Sequence, residues 1–272
     1  MKELVLGISP CPNDVYIFSG LLLNKIDLHG LQFRPAFKDV ENLNQDVQTQ
    51  LLDVAKISAA ALPACQPAYT MLPCGGALGR GVGPLLLSQR GTWNRAKVTL
   101  SPGQNTTANF LLHYYASHFE SELTPAVLKL EYLPFDVLYA ELCSNPNSQG
   151  VVIHEKRFTY KQDGLRLVAD LGEYWEHSTG LPIPLGALVV KDGALDPEVM
   201  TGIVRSSLAW ANDNYEEAFA LCRRYAQDLS PGVIESHIGL YVNKYSMNLG
   251  EDGRSAIEYF LNAQQSLVGA AK

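Results

Sequence analysis

The segment VVIHEKRFTY carries the side chain whose type and position best suit acid–base chemistry. Residues 151–153 form a short apolar run after the turn-rich CSNPNSQG, which places His154 at the carboxyl end of a predicted strand. Because imidazole titrates near neutral pH, a histidine that faces a ligand can act as a general base or acid. Glu155 could orient the ring or simply be solvated. A histidine that makes only structural hydrogen bonds is the alternative, which these residues leave open.

Neither a metal motif nor a nucleophile motif accompanies this histidine. HEKRF lacks the second histidine of HExxH because position 158 is Phe, and no GxSxG occurs. Cys11 has no recognisable base near it in the sequence, and the five cysteines lack CxxC spacing, so free thiols are expected. The glycine-rich CGGALGRGVGP is not a phosphate loop, since it lacks GxxxxGK followed by Ser or Thr. Its Arg80 could meet an anion or be purely structural.

Polar side chains stand where three further predicted strands end. They form pairs along the chain: Asn13 and Asp14, Lys56 and Ser58, and Thr106 and Thr107. In an open α/β sheet, ligands bind beyond the carboxyl ends of the strands, where helix N-termini offer free N–H groups to a carboxylate or phosphate. We therefore predict a cleft that binds a small organic anion, with Asn13 and Asp14 capping the first helix. Ordinary N-caps and a surface lysine are the alternative.

An alternation of short strands and helices must position these residues. The β-like runs LVLGIS, VAKIS and KVTLS each precede a helical stretch, which predicts an α/β fold with largely parallel strands. LVLGISPCPNDVYIFSGLL also resembles KVTLSPGQNTTANFLLHYY, with Ser-Pro at the same point in both. Two copies of one strand, turn and helix unit predict two similar lobes. From Asp196 onward only helical patterns occur, so we expect a helical layer there.

The composition argues against several partners. The formal net charge is -7 and no block of Lys or Arg stands out, so we expect neither nucleic acid nor an anionic membrane surface as a partner. Nowhere do about 18 apolar residues follow one another, and the apolar residues 4–8 are too few for the core of a signal peptide. We therefore predict a cytoplasmic protein, and the sequence leaves its oligomeric state open.

Six segments, taken in order, resemble one enzyme family. SPCPND, DVAKIS, GGALGRGVGPLLL, NTTA, VVIHEKRFTY and DLGEYWEHSTGLPIPLGA are similar to the 1,4-dihydroxy-6-naphthoate synthases of the futalosine route to menaquinone, and the likeness runs from residue 7 to about residue 187. The resemblance implies an α/β fold of the type II periplasmic-binding-protein kind, with two lobes around a central cleft and a helical carboxy-terminal layer. The larger lobe would comprise residues 1–92 and 190–272, and the smaller, inserted lobe residues 93–189.

The resemblance also implies an activity and a set of site residues. The family is a group of lyases that split cyclic dehypoxanthinyl futalosine, releasing the sugar-derived portion as the bicyclic product becomes aromatic, without a redox cofactor or metal. The substrate is a small-molecule carboxylate. By position, His154 matches the catalytic base, and the substrate-binding residues are Lys56, Ile57, Ser58, Thr106 and Thr107, with Asn13 and Asp14 lining the same cleft.

Two positions depart from the family pattern. Ala59 stands where an aromatic residue is expected, and Asn105 stands where a basic residue often precedes the threonines. Asn105 removes a possible contact with a carboxylate, so we expect substrate affinity to depend more on Lys56 and the helix termini.

Two other functions remain open. A cytoplasmic solute-binding module would share the predicted architecture, and so would the sister enzyme of the pathway, a chorismate dehydratase. The segments PCPND and VVIHE favour the synthase over the dehydratase.

Overall fold

Two β-sheets with helices packed around them make up the described part of the chain. The computed structural model describes residues 2–118, 128–226 and 229–270. Its strands are β1 Lys2–Ile8, β2 Leu31–Phe37, β3 Val54–Ser58, β4 Tyr69–Met71, β5 Ala77–Gly79, β6 Leu85–Ser88, β7 Thr99–Ser101, β8 Leu130–Tyr132, β9 Gln149–Val152, β10 Arg166–Asp170 and β11 Ile183–Lys191. Its helices are α1 Pro12–Ile17, α2 Ser19–Leu22, α3 Val40–Gln48, α4 Leu62–Cys65, α5 Thr107–Ser117, α6 Phe135–Ser144, α7 Lys156–Thr159, α8 Leu171–Thr179, α9 Pro197–Asp213, α10 Tyr215–Tyr225, α11 Pro231–Tyr241, α12 Lys244–Met247 and α13 Gly250–Ala270.

The first sheet has six strands, in the order β2-β1-β3-β11-β4, with β5 also paired to β11. β1 runs parallel to β2 and β3, whereas β11 is antiparallel to β3, β4 and β5. Every residue of β3 is buried, as expected for an inner strand that is covered on both faces. This burial fixes β3 in place, so its carboxyl end presents Lys56 and Ser58 at a defined edge of the sheet.

The second sheet has five strands, in the order β10-β6-β9-β7-β8. β7 runs parallel to β8 and β9, while β6 is antiparallel to β9 and β10. The expectation of largely parallel strands is therefore right for the pairs that β1 and β7 form and wrong for every pair that includes β6 or β11. Apolar periodicity identifies a strand, but it carries no information on the direction of the neighbouring strand.

The two Ser-Pro units lie in different sheets. β1 and its following helix α1 belong with the first sheet, and β7 followed by α5 belongs with the second. The chain crosses from the first sheet to the second between β5 and β6, and it returns between β10 and β11. Strand pairing thus puts residues 85–88 in the second sheet and residues 183–191 in the first. The lobe boundaries 1–92, 93–189 and 190–272 stay a prediction about folding units.

The carboxy-terminal part is helical, as the sequence predicts. Asp196 caps α9 by accepting a hydrogen bond from the N–H of Glu198, and only helices follow among the described residues from there to residue 270. No helix within the described ranges is long and apolar enough to cross a bilayer.

Helix α11 matters most for the site because one of its faces borders the cavity described below. Ile234, His237, Ile238 and Tyr241 are its buried residues, and their spacing of three or four places them on a single face. Ile234 and Ile238 pack into the hydrophobic core between the first sheet and α1, α9 and α10. That packing holds His237 and Tyr241 in fixed positions.

Candidate active site

A cavity of about 800 Å³, including its open mouth, lies where the carboxyl ends of β1, β3 and β9 meet the start of α5 and one face of α11. This is the position at which open α/β sheets bind ligands. All eight residues predicted for the site line it: Asn13, Asp14, Lys56, Ile57, Ser58, Thr106, Thr107 and His154. Arg80 lies outside the cavity, where its Nη2 donates to the carbonyl of Gly180 at 2.7 Å.

A buried ion pair forms one wall of the cavity. The Nζ atom of Lys56 lies 2.8 Å from Oδ1 of Asp14, and the two side chains are only 6% and 5% exposed. The Ser9 hydroxyl donates to Oδ2 of Asp14 at 2.7 Å, and the Asn13 amide donates to Oδ1 at 2.9 Å. These bonds supply the compensation that a desolvated ion pair requires. The charge of Lys56 is thus balanced within the wall, which the sequence alone did not indicate.

The expectation that Asn13 and Asp14 cap α1 is wrong. The helix begins at Pro12, with Cys11 as an N-cap that makes no side-chain capping bond. Proline suits the first position of a helix because its φ is already helical and it has no N–H to satisfy. The helix therefore starts earlier than the sequence indicated, and the Asp14 carboxylate turns towards Lys56 instead of the helix N-terminus.

His154 adopts an unusual backbone conformation directly after β9. Its φ of 57° lies in the left-handed region, which a non-glycine residue enters only at some energetic cost. Its Nδ1 atom lies 3.3 Å from the sulfur of Cys11. The Phe135 ring packs against the imidazole in a T-shaped arrangement, with the two ring centroids 5.2 Å apart. The ring is therefore held from two sides. The contact also supplies Cys11 with the basic neighbour that its sequence surroundings lack.

The surroundings of His154 favour its protonated form. Burial by itself lowers the pKa of this imidazole, but the Cys11 sulfur, and then the Glu155 and Asp39 carboxylates, outweigh it and raise the pKa to about 9. With that pKa, only about 1% of the rings are neutral at pH 7. The deprotonated ring is correspondingly a stronger base than an ordinary histidine.

The start of α5 supplies N–H groups to the cavity. Thr106 is the N-cap of α5, since its Oγ1 accepts from the N–H of Asn109 at 3.1 Å and donates to the carbonyl of Gly103 at 2.8 Å. Thr107 Oγ1 donates to the carbonyl of Leu185 at 3.0 Å and accepts from the N–H of Ala60 at 3.3 Å. Both hydroxyls are thus engaged within the protein. The backbone N–H groups of Thr107 and Ala108, however, have no hydrogen-bond partner among the described residues.

Ser58 adds a hydroxyl to the same region. Its Oγ accepts a bond from Nδ2 of Asn44 at 3.1 Å, and its backbone N–H donates to Oδ1 of Asn44 at 2.9 Å. Within the described ranges, no residue accepts the hydroxyl proton of Ser58. Together with the helix N-terminus it can hold an anionic oxygen.

Asn105, which stands where a basic residue was expected, links the two sheets and does not line the cavity. Its backbone N–H and its Nδ2 donate to the Glu41 carboxylate at 3.2 and 2.8 Å, and its carbonyl accepts from Asn44 at 3.2 Å. Glu41 and Asn44 lie on α3, beside the first sheet, while Asn105 precedes α5. These bonds hold the two sides of the cavity together.

Cys11, Tyr241 and His237 line the cavity but were not predicted as site residues. Cys11 and His154 are 143 positions apart, so their contact leaves no local signal. His237 has a weaker signal, a histidine on the apolar stripe of an amphipathic helix, which describes a satisfied core histidine equally well. Burial, followed by the charge of His154, lowers the pKa of His237 to about 3.

Comparison with known proteins places this architecture in a family. The family model described as "Menaquinone biosynthesis" matches residues 4–265, nearly the whole chain. The chain belongs to this menaquinone biosynthesis family. It is 37% identical to the 1,4-dihydroxy-6-naphtoate synthase of Streptomyces coelicolor, over 98% of this chain and 95% of the relative. It is 38% identical to the synthase of the same name from Thermus thermophilus, over 94% of this chain and 92% of the relative.

Solved structures agree with the expected fold of this family member. Protein AF1704 from Archaeoglobus fulgidus superposes with a TM-score of 0.87 at 26% identity, covering 97% of both chains. The Candida albicans CA3427 gene product, which has the generic periplasmic binding protein fold, superposes with a TM-score of 0.66 at 9% identity, over 99% of this chain and 95% of that one. At so low an identity the second likeness concerns the fold alone. The predicted periplasmic-binding-protein-like fold is confirmed.

Proposed function

We propose that this protein is a carbon–carbon lyase of the cytoplasm that converts cyclic dehypoxanthinyl futalosine into 1,4-dihydroxy-6-naphthoate. The proposal is supported by the synthase name that both curated relatives carry. The observation that carries it is the position of His154, a half-buried histidine with a strained backbone at a strand end, inside a cavity that also contains the N-terminus of α5.

The substrate's carboxylate would bind at the start of α5. The N–H groups of Thr107 and Ala108 and the hydroxyl of Ser58 are the donors available there, and the positive end of the helix dipole favours an anion. Lys56 contributes less directly, because Asp14 already balances its charge. In this arrangement the predicted substrate-binding residues act mainly through backbone groups and Ser58, and not through the hydroxyls of the two threonines.

His154 would act as the general base. It removes a proton from the bound substrate, and the electron pair left behind breaks the carbon–carbon bond to the sugar-derived portion as the bicyclic ring becomes aromatic. The imidazolium then returns the proton to the departing fragment, so no proton is gained or lost by the protein. General-base catalysis contributes roughly 10²- to 10⁴-fold, and positioning in the cavity contributes further.

A product assay tests the proposal. Wild-type protein is incubated with cyclic dehypoxanthinyl futalosine, and the products are analysed by mass spectrometry; we expect 1,4-dihydroxy-6-naphthoate. His154→Ala should lose at least roughly a hundredfold in turnover while still binding the product. His177→Ala, an exposed histidine at the end of α8, is the matched control and should behave as the wild type.

The two alternative functions give different results in the same assay. A dehydratase would consume chorismate and leave the futalosine derivative unchanged. A solute-binding module would bind a small molecule tightly and release it unaltered. Either outcome, or full turnover by His154→Ala, contradicts the proposal.

A further inference from the structure

His237 is a buried polar side chain without a hydrogen-bond partner. It is 1% exposed, it lines the cavity, and neither of its ring nitrogens bonds to any described residue. Its neighbours are aromatic: the Tyr241 ring lies 4.6 Å away and the Phe158 ring 6.4 Å away, centroid to centroid. Buried polar groups in folded proteins are nearly always hydrogen-bonded, so this side chain requires an explanation.

Leaving the His237 side chain without a hydrogen bond destabilises the folded protein. Burying an imidazole without hydrogen bonds forfeits the bonds it makes with water in the unfolded chain. A phenylalanine would fill the same place on the apolar face of α11 without that cost. An unpaired polar group that borders a ligand cavity is explained if the ligand supplies the missing bond.

The surroundings of His237 indicate which chemical group of the ligand supplies the missing hydrogen bond. The charges that act on it are those of His154 at the end of β9 and Asp14 on α1, and Asp14 is itself paired with Lys56. Burial and the neighbouring His154 keep the ring of His237 neutral. A neutral imidazole offers one N–H donor and one acceptor, and it forms no ion pair with a carboxylate. A hydroxyl group can use either nitrogen, so it is the chemical group that fits.

We propose that His237 binds a hydroxyl group of the reacting ring, at the end of the molecule opposite the carboxylate held by α5. This role rests on the proposed function, whose product carries two hydroxyls on the ring that does not bear its carboxylate. His237 is thus a specificity residue: it distinguishes a hydroxylated bicyclic acid from an apolar one, and it orients the reacting ring towards His154.

Two ligands that differ only in the hydroxyls test this role. Titration calorimetry in anaerobic buffer measures the affinity of 1,4-dihydroxy-6-naphthoate and of 2-naphthoate for the wild type and for His237→Phe. We expect the wild type to prefer the dihydroxy compound by roughly fivefold to tenfold, as one neutral hydrogen bond allows. His237→Phe should lose this preference, bind 2-naphthoate within about twofold of the wild type, and melt at the same temperature or higher. An equal preference in both proteins overturns the proposal, and so does an equal loss for both ligands with a lower melting temperature.

A measurement on the wild type does not depend on the variant folding. In protein labelled with ¹⁵N-histidine, the ring signals of His237, assigned by their absence in His237→Gln or in His237→Phe, should shift with the dihydroxy compound and stay in place with 2-naphthoate. Signals that respond equally to both ligands, or to neither, overturn the role. Turnover of the futalosine derivative separates the two proposals: turnover without a hydroxyl preference refutes only the role of His237, whereas a wild type without turnover refutes the proposed function and this role with it.

Discussion

Replacing Cys11 by alanine tests whether its sulfur sets the proton affinity of His154. The sulfur lies 3.3 Å from Nδ1 of His154, and it is the main influence that raises the pKa of the ring against the effect of burial. Cys11 makes no capping bond to α1, so its removal leaves that helix intact. We expect the pKa of His154 to fall by one unit or more in Cys11→Ala.

The magnitude follows from the fraction of neutral imidazole. A base with a pKa of about 9 is about 1% neutral at pH 7, and one with an ordinary histidine pKa of about 6.5 is about 75% neutral. The acid limb of the kcat/KM profile reports the pKa of the base in the free enzyme. In the wild type this limb should have its midpoint near pH 9, with kcat/KM rising as the pH rises. In Cys11→Ala the midpoint should lie at lower pH, and kcat/KM at pH 7 should be a larger share of its own plateau.

The assay is a pH series of kcat/KM between pH 5 and about 10, each protein normalised to its plateau. Cys11→Ser keeps a hydrogen-bonding group that does not ionise in this range, so its midpoint should lie between those of the other two proteins. Cys143→Ala is the matched control, because Cys143 is also a partly buried free thiol but lies outside the cavity. An unchanged or higher midpoint in Cys11→Ala refutes the reasoning. Complete loss of turnover at every pH, in a variant that melts at the wild-type temperature, also refutes it, since Cys11 would then do more than set the pKa of His154.

Three further predictions concern the walls of the cavity. Lys56→Met leaves the Asp14 carboxylate buried and unpaired, so the free energy of unfolding in urea should fall by about 3–5 kcal/mol at pH 7. Lys25→Met, which removes an ion pair with Glu217 on the surface, should cost less than about 1 kcal/mol. Equal losses in the two variants would contradict the burial argument. Thr107→Val removes the bonds to Leu185 and Ala60 that hold the start of α5, whose N–H groups would bind the carboxylate. KM should therefore rise roughly fivefold, and the free energy of unfolding should fall by about 1 kcal/mol. An unchanged KM and melting temperature would show that these bonds matter little. The pKa of His237 is about 3 in the folded protein and about 6.5 in the unfolded chain, so the unfolded chain binds more protons between these pH values. The free energy of unfolding should therefore decrease as the pH is lowered from 6.5 to 3, by on the order of 4 kcal/mol in total. A decrease of the same size in His237→Phe would refute this.

The sequence by itself determined much about this protein. Alternating strand and helix patterns predicted the α/β class, the change of pattern at Asp196 predicted the helical carboxy-terminal part, and Thr106 was recognisable as an N-cap. The strand ends at Lys56 and His154 were also readable, and they do border one cavity. All of these features depend on residues close together in the chain, where apolar periodicity and capping chemistry act.

Only the tertiary structure decided the features that join distant residues. The contact of Cys11 with His154, the ion pair of Lys56 with Asp14, and the presence of His237 in the cavity follow from which strands pair and how α11 packs. The same holds for the assignment of β6 to the second sheet and of β11 to the first. The apolar pattern of a segment shows which face of its helix or strand a side chain occupies. The residue that this side chain contacts is set by how the whole chain folds. The charge of Lys56 and the proton affinity of His154 depend on those partners, so the electrostatics of the site could not be predicted from the sequence.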